Sequence, residues 1–238
     1  MRARDGLALV GGTGVAALLV SAFLRMPAAG GTAHPYRDLV LPAALRADTP
    51  NLVSSVNFDL RAFDTLGEET IVVAAVVGVL TLLPPPRRRS APPQPGYVLP
   101  AVRFTGYLLL PLAVVLGIDV VVHGHLSPGG GFQGGVVLAT GWHLLYLSGS
   151  YSALQRLRPL AWLEHTEAAA TGLYVVTGLA GLVATGHFLT NFLPSGRFGS
   201  LLSAGTVPLL SLLIGIEVAA GVIVLLSRFL AHGLGHAR

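Results

Sequence analysis

The sequence predicts an all-α integral membrane protein with about six transmembrane helices and both termini cytoplasmic. Three observations lead there. Hydrophobic residues make up 53 % and charged residues 11 % of 238 residues, with a mean hydropathy of +0.70. A soluble domain carries about a quarter charged residues, so this chain has too few to cover a globular surface. Six segments approach the roughly 17–25 apolar residues that a membrane-spanning helix needs. Arginine, which supplies all 15 of the Lys and Arg residues, is distributed unevenly among their flanks.

The six segments lie at about Gly6–Leu24, Leu66–Leu83, Phe104–His123, Gly131–Leu147, Ala168–Thr185 and Thr206–Phe229. The second and fourth are near the lower limit of length. The first admits two readings. It is a retained span, or, with Arg2 and Arg4 before it and Ala28-Ala29-Gly30 after it, a signal peptide. Between the second and third segments runs Pro84-Pro85-Pro86-Arg87-Arg88-Arg89-Ser90-Ala91-Pro92-Pro93-Gln94-Pro95. Such a strip is stiff and solvated, and it reads as a linker. The chain then divides into a two-helix module (1–83), a linker (84–96) and a four-helix module (97–238). Ten arginines flank the two termini and alternate links, against five in the other loops. Positively charged flanks stay inside, so both termini face the cytoplasm and the 123–135 link faces outward.

That link is His123-Gly124-His125-Leu126-Ser127-Pro128-Gly129-Gly130-Gly131-Phe132-Gln133-Gly134-Gly135. A Pro followed by so many glycines turns the backbone sharply with almost no side chain at the turn. Gly130 with Gly134, and Gly131 with Gly135, set a small-xxx-small spacing that lets another helix backbone approach inside lipid. Pro128, Gly129, Gly130, Gly131, Phe132, Gly134 and Gly135 are therefore candidates for a structural turn and helix packing.

Candidate ion-handling residues are ionisable groups in or beside the spans. An acid at a helix centre costs about 2.5–3.5 kcal/mol on insertion scales, so each needs a reason. Glu217 sits mid-span in Ile214-Gly215-Ile216-Glu217-Val218. It is a protonated packing group, or a carboxyl that exchanges a proton or meets a cation. Asp119 and His123 share a helix face, as a structural pair or a proton relay. His125 sits in the turn and His143 in the fourth span. The two turn histidines lack a third ligand at useful spacing, so no metal site is expected. Phe63-Asp64-Thr65-Leu66-Gly67-Glu68-Glu69 precedes the second span. Thr65 with Glu68 fits a capping box, while Asp64, Glu68 and Glu69 together would also attract cations. Pro111 interrupts the third span and frees the Tyr107 carbonyl.

Other classes are excluded. No Gly-Lys-Ser/Thr follows the glycine run, so it is no phosphate loop, and neither a nucleophile–base set nor a dinucleotide fingerprint appears. An enzyme is not expected. With no Cys there is no disulfide and no thiolate metal or iron–sulfur site. The pI near 10 does not signal nucleic-acid binding, because the arginines form no stripe.

The 124–135 motif resembles the signature of the MnhB-type subunit of the Mrp (Mnh) multisubunit sodium/proton antiporters. The likeness continues through Asn191-Phe192-Leu193-Pro194, Ser203-Ala204-Gly205-Thr206-Val207-Pro208 and Gly215-Ile216-Glu217-Val218, covering roughly Tyr97–Leu230. The front stretch from Asn51 to Glu68 resembles the last two-helix piece of the large, A-type antiporter subunit, also found as a small separate protein in membrane-bound hydrogenases. Its family pattern is Gly-Phe-Asp-Thr-Leu-Gly-Glu; here Ala62 replaces the first Gly and Phe63 through Glu68 match. The resemblance implies a cation path involving Asp64, Glu68 and Glu217. Asp119 matches no motif of the family and rests on spacing alone.

The expectation is a multi-pass subunit in a bacterial inner membrane, where proton entry drives sodium extrusion. Its partners would be other subunits of the complex and the lipid bilayer, with no nucleic acid. It would need no cofactor beyond the transported Na+ and H+. The alternatives are a structural scaffold and a membrane component of a redox-driven, hydrogenase-type relative.

Overall fold

The computed structural model describes residues 3–26, 32, 34–83, 98–148 and 160–236. The Pro/Arg-rich strip and Ala28-Ala29-Gly30 lie outside them. Among the described residues every regular element is helical: α1 (Ala3–Leu24), α2 (Pro35–Arg46), α3 (Leu52–Ser55), a π-helical turn (Val56–Leu60), α4 (Ala62–Leu82), α5 (Pro100–Val122), α6 (Gly131–Leu147), α7 (Leu160–Thr185) and α8 (Val207–His236).

Packing divides the chain into Met1–Leu39 and Val40–Arg238. The first unit is α1 with the start of α2. Leu9, Val10, Leu18, Phe23 and Leu24 give α1 a continuous apolar surface.

In the second unit four helices are long and apolar enough to cross a membrane: Ala62–Leu82, Pro100–Val122, Trp162–Thr185 and Val207–Phe229. Of the six expected spans, four are matched by helices of full length among the described residues. Leu9–Leu24 is a shorter apolar helix, and α6 has 17 residues. At 1.5 Å per residue, α6 spans about 26 Å of a hydrocarbon core about 30 Å thick.

Helix α8 is the centre of this bundle. Its most apolar window is 61 % buried, against 17 % for those of α4 and α5. It packs on α4, α5, α6 and α7, and the apolar core gathers Phe58, Ala62, Tyr174, Leu210, Ile214 and Val218 around it.

The glycine run sets how closely α6 reaches α8. Gly129 and Gly130 take φ of 157° and 141°, which a side chain rarely tolerates. A Cβ on Gly131 would collide with the Ser211 carbonyl oxygen, and one on Gly135 would stand 2.8 Å from the Gly215 oxygen. The stripe Gly131/Gly135 thus seats α6 against the α8 backbone, while Gly134 meets α5 at Gly117 and Val121. Helix α5 opens with Pro100 in its first turn, where a missing N–H costs nothing, and it continues through Pro111.

At the turn end of the bundle the loops are bonded to one another. The Asn51 side-chain oxygen accepts the Val53 and Ser54 N–H groups and starts α3. Its amide nitrogen donates to Gly124 O (2.7 Å) and Ser127 O (2.8 Å), and its backbone N–H donates to His125 O (3.0 Å). Ser195 donates to Asp48 (2.8 Å) nearby. Asn51 and Asp48 thereby tie the segment before α4 to the loops after α5 and α7.

The expected start of the second span needs correction. Helix α4 begins at Ala62, so Thr65 lies inside it and makes no capping box with Glu68. Thr65 instead donates to the Asn57 carbonyl in the π-helical turn (2.7 Å).

Candidate functional site

Three helices that run side by side each place one glutamate in their common interior. Glu69 on α4, Glu167 on α7 and Glu217 on α8 are 1 %, 4 % and 0 % exposed. The Glu69 carboxyl faces that of Glu217. Neither oxygen of either residue meets a hydrogen-bond partner of ordinary geometry, nor does Glu167 Oε1. Buried polar atoms are nearly always paired, because an unpaired one keeps its desolvation cost. Five such oxygens therefore cluster in one buried place.

Helix α8 serves as a ruler for this interior. Ile214 lines a cavity of about 190 Å³ next to Glu69. One turn on is Glu217. About 6 Å further, a Cβ at Gly221 would stand 3.4 Å from Glu167 Oε1. Arg228, eleven residues after Glu217 or about 16 Å along the axis, binds Glu164 Oε1 at 3.0 Å. Ile214, Glu217, Gly221 and Arg228 lie three, four and seven residues apart, hence on one helix face. The carboxyls consequently form a line along α8, open to a cavity at one end and closed by a salt bridge at the other.

Two neutral groups flank the line. Tyr174, fully buried on α7, donates its hydroxyl to the Ala62 carbonyl at 3.0 Å, pinning the first turn of α4 to α7. Thr171, one turn after Glu167, donates to the Glu167 carbonyl at 3.1 Å and lies beside Glu217.

The residues expected from sequence take diverse positions. Glu217 is in the line. Glu68 is exposed and lines the cavity next to Glu69. Asp64 is exposed and ion-paired with Arg61. Asp119 and His123 pair at 2.9 Å on an exposed face at the end of α5. His143 has a buried Nε2 without a partner. His125 is fully buried, with Nε2 3.4 Å from the Ser200 carbonyl and Nδ1 without a partner. Burial holds its imidazole below the usual histidine range, opposed by the carbonyls of Ser200 and Leu201. Glu167 is not among the residues expected from the sequence, and Glu69 lies in the interior rather than at a helix entrance. Both are acids whose helices begin earlier than expected. Among the described residues no group of three His, Asp or Glu side chains is arranged to hold a metal ion.

Residues 101–224 match a domain family related to the MnhB subunit of Na+/H+ antiporter. The chain belongs to this MnhB-related family. A Methanocaldococcus jannaschii protein of uncharacterized role is 32 % identical over 200 residues, covering 72 % of this chain and 74 % of that one. A Rhizobium meliloti protein, a probable K+/H+ antiporter A/B subunit, is 29 % identical over 213 residues, 76 % of this chain. The MnhB-related chain corresponds to only 20 % of that larger protein. In solved structures, a chain of an archaeal membrane-bound sulfane sulfur reductase is similar with TM-score 0.75 and 29 % identity, over 95 % of this chain and 98 % of its own. A chain of the Mrp complex from Dietzia is similar with TM-score 0.68 and 26 % identity, over 96 % of this chain and 26 % of its own. The MnhB-related chain is a multi-pass membrane subunit of the Mrp-type antiporter or related respiratory class. Its likeness to these structures extends in front of residue 101 into the α4 region.

Proposed function

We propose that this chain supplies part of the ion route in a proton-driven cation antiporter, in which proton entry drives sodium extrusion. It would do so within a multisubunit complex of a bacterial inner membrane, with the glycine-rich turn outward. The observation that carries the proposal is the line of buried carboxyls along α8: Glu69 facing Glu217, then Glu167, then the Glu164–Arg228 pair. Two facing carboxyls in an apolar interior repel one another if both are ionised, so a shared proton or an added cation relieves them. Such a pair exchanges protons against cations. The buried Glu69, with Glu68 on the cavity wall, stands at the turn end, and Arg228 closes the far end. The chain carries no Lys and contributes few intramembrane acids, so partner subunits supply the rest of the machinery.

Replacing Glu217 or Glu69 by Gln in the intact complex, with antiport read in inverted vesicles, tests this. The expected result is loss of antiport at unchanged complex abundance. Wild-type antiport would remove the carboxyl line from the route. Lower abundance with unchanged transport per complex would mean a scaffold.

A second reading is favoured by the match to the sulfane sulfur reductase chain over nearly its whole length. Here the same route is driven by redox chemistry in neighbouring subunits. Purifying the complex and identifying its subunits separates the two, since redox subunits alongside would favour this second reading.

A further inference from the structure

The cavity of about 190 Å³ at the turn end is walled by the loop before α4, the first turns of α4 and the glycine-rich turn. Two side chains on its wall are buried and receive no hydrogen bond from any donor group. Ser54 is 2 % exposed and its hydroxyl oxygen has no hydrogen-bond partner, and Glu69 is 1 % exposed with the Glu217 carboxyl as its neighbour and no donor of ordinary geometry on either oxygen. They come from different elements, α3 and α4. A protein keeps such groups unpaired at a cost that a guest meeting both would remove. Asn57 and Gln133 line the same wall, with Gln133 Oε1 beside Gly130.

We propose that this cavity binds one partly dehydrated monovalent alkali cation, with the Glu69 carboxylate and the Ser54 hydroxyl as its buried ligands. All the donors are hard oxygens, which suit alkali and alkaline-earth ions and do not suit soft metals. One buried carboxylate neutralises one charge, whereas a calcium ion gathers six to eight oxygens and commonly several carboxylates. Water occupies about 30 Å³ per molecule in the liquid, so the ion keeps several waters. Glu68, exposed on the wall, adds negative charge that draws cations to the site. A cation on Glu69 competes with the proton that Glu69 shares with Glu217. Exchange at one carboxyl then couples the two fluxes. The inference rests on the reading of the carboxyl line as an ion route, and it assigns the place where the cation joins that route.

The test is a titration of radioactive sodium binding to the purified intact complex, alongside antiport in vesicles. Ser54→Ala is expected to raise the half-saturating sodium concentration about tenfold in both assays, as loss of one ligand contact does, with the maximal antiport rate retained. Ser54→Thr restores the hydroxyl and the wild-type value. Glu69→Gln abolishes sodium binding, whereas Glu217→Gln retains it while stopping antiport. Complex abundance is read in parallel, and because Ser54 and Glu69 lie on different elements, a failure of one variant to assemble leaves the other decisive. Wild-type sodium binding in an assembled Ser54→Ala or Glu69→Gln complex overturns the site, even if antiport is lost. Antiport that survives both Glu→Gln changes overturns the ion route itself, whatever the cavity binds.

Discussion

Gly221 and Glu167 approach so closely that a methyl group on Gly221 would touch the Glu167 carboxyl at 3.4 Å. The same methyl would meet Val72 Cγ1 at 3.3 Å and Val76 Cγ2 at 3.4 Å. The glycine is thus a gap in α8 between Glu217 and Glu167, walled by α4. Gly221→Ala is expected to fill that gap and slow antiport per complex severalfold with little loss of complex. Gly221→Leu pushes the helices apart and costs about 1–3 kcal/mol of stability, the usual penalty of overpacking. Complex yield and vesicle antiport, measured together, check both outcomes.

Gly131→Ala and Gly135→Ala are expected to lower the melting temperature of the detergent-purified complex sharply. Each would drive a Cβ into the α8 backbone, at Ser211 O and Gly215 O. Gly67→Ala and Gly172→Ala meet nothing within 4 Å and replace a helical glycine, so they leave stability unchanged or raise it by up to about 1 kcal/mol, with the melting temperature unchanged or higher. Equal effects from both pairs would contradict the packing described for α6.

The buried His125 makes stability depend on pH. Desolvation lowers its folded-state value below the ordinary histidine value of about 6.5. In the window below that ordinary value the unfolded chain binds the proton more readily than the folded one. The stabilisation is therefore fully present above about pH 6.5 and is lost as pH falls towards the depressed value. Asp59 acts in the opposite sense: burial raises its carboxyl, partly offset by Asn191, so it costs stability as pH rises above the ordinary aspartate range. Thermal unfolding between about pH 5 and 8 should show a fall on acidification that His125→Gln flattens. An unchanged slope in that variant would assign the effect to another group.

Asp64 offers a contrast with Glu69 five residues on. It is exposed and paired with Arg61, and an exposed ion pair contributes at most about 1 kcal/mol. Asp64→Asn should leave antiport within about fivefold of wild type, because the lost interaction is that small. A loss as deep as that of Glu69→Gln would place Asp64 on the route after all.

Much of this architecture is legible in the sequence. The all-helical membrane class followed from composition, and Glu217 drew attention because an acid interrupts the most apolar segment. The pairing of Asp119 with His123 followed from four-residue spacing. Glu69 and Glu167 were harder to place because both stand near expected helix ends. Helix α4 starts four residues before Leu66, since the π-helical turn and Thr65 shape its entrance, and α7 starts eight before Ala168. A helical reading from Ala62 would have put Ala62, Thr65, Glu69 and Val76 on one buried face, with Glu68 off it. The face of α8 carrying Glu217, Gly221 and Arg228 was equally present in the spacing. The burial of His125 was not, because it depends on the Ser200 carbonyl, 75 residues away in the chain.

Helix α8 is the most apolar span, with mean hydropathy 2.6 over its best window, yet it is also the most enclosed by protein. Most of its apolar surface therefore meets protein rather than acyl chains. The same surplus would act earlier as well, when the nascent segment partitions from the translocon into lipid. The fourteen Leu, Ile, Val and Phe residues of 207–229 together favour partitioning by about 4–8 kcal/mol, more than the roughly 2.5–3.5 kcal/mol that one central acid opposes. Thinning that surplus with polar substitutions on the faces away from Glu217 would strand the segment outside the bilayer before any neighbour had arrived to shelter its carboxyl.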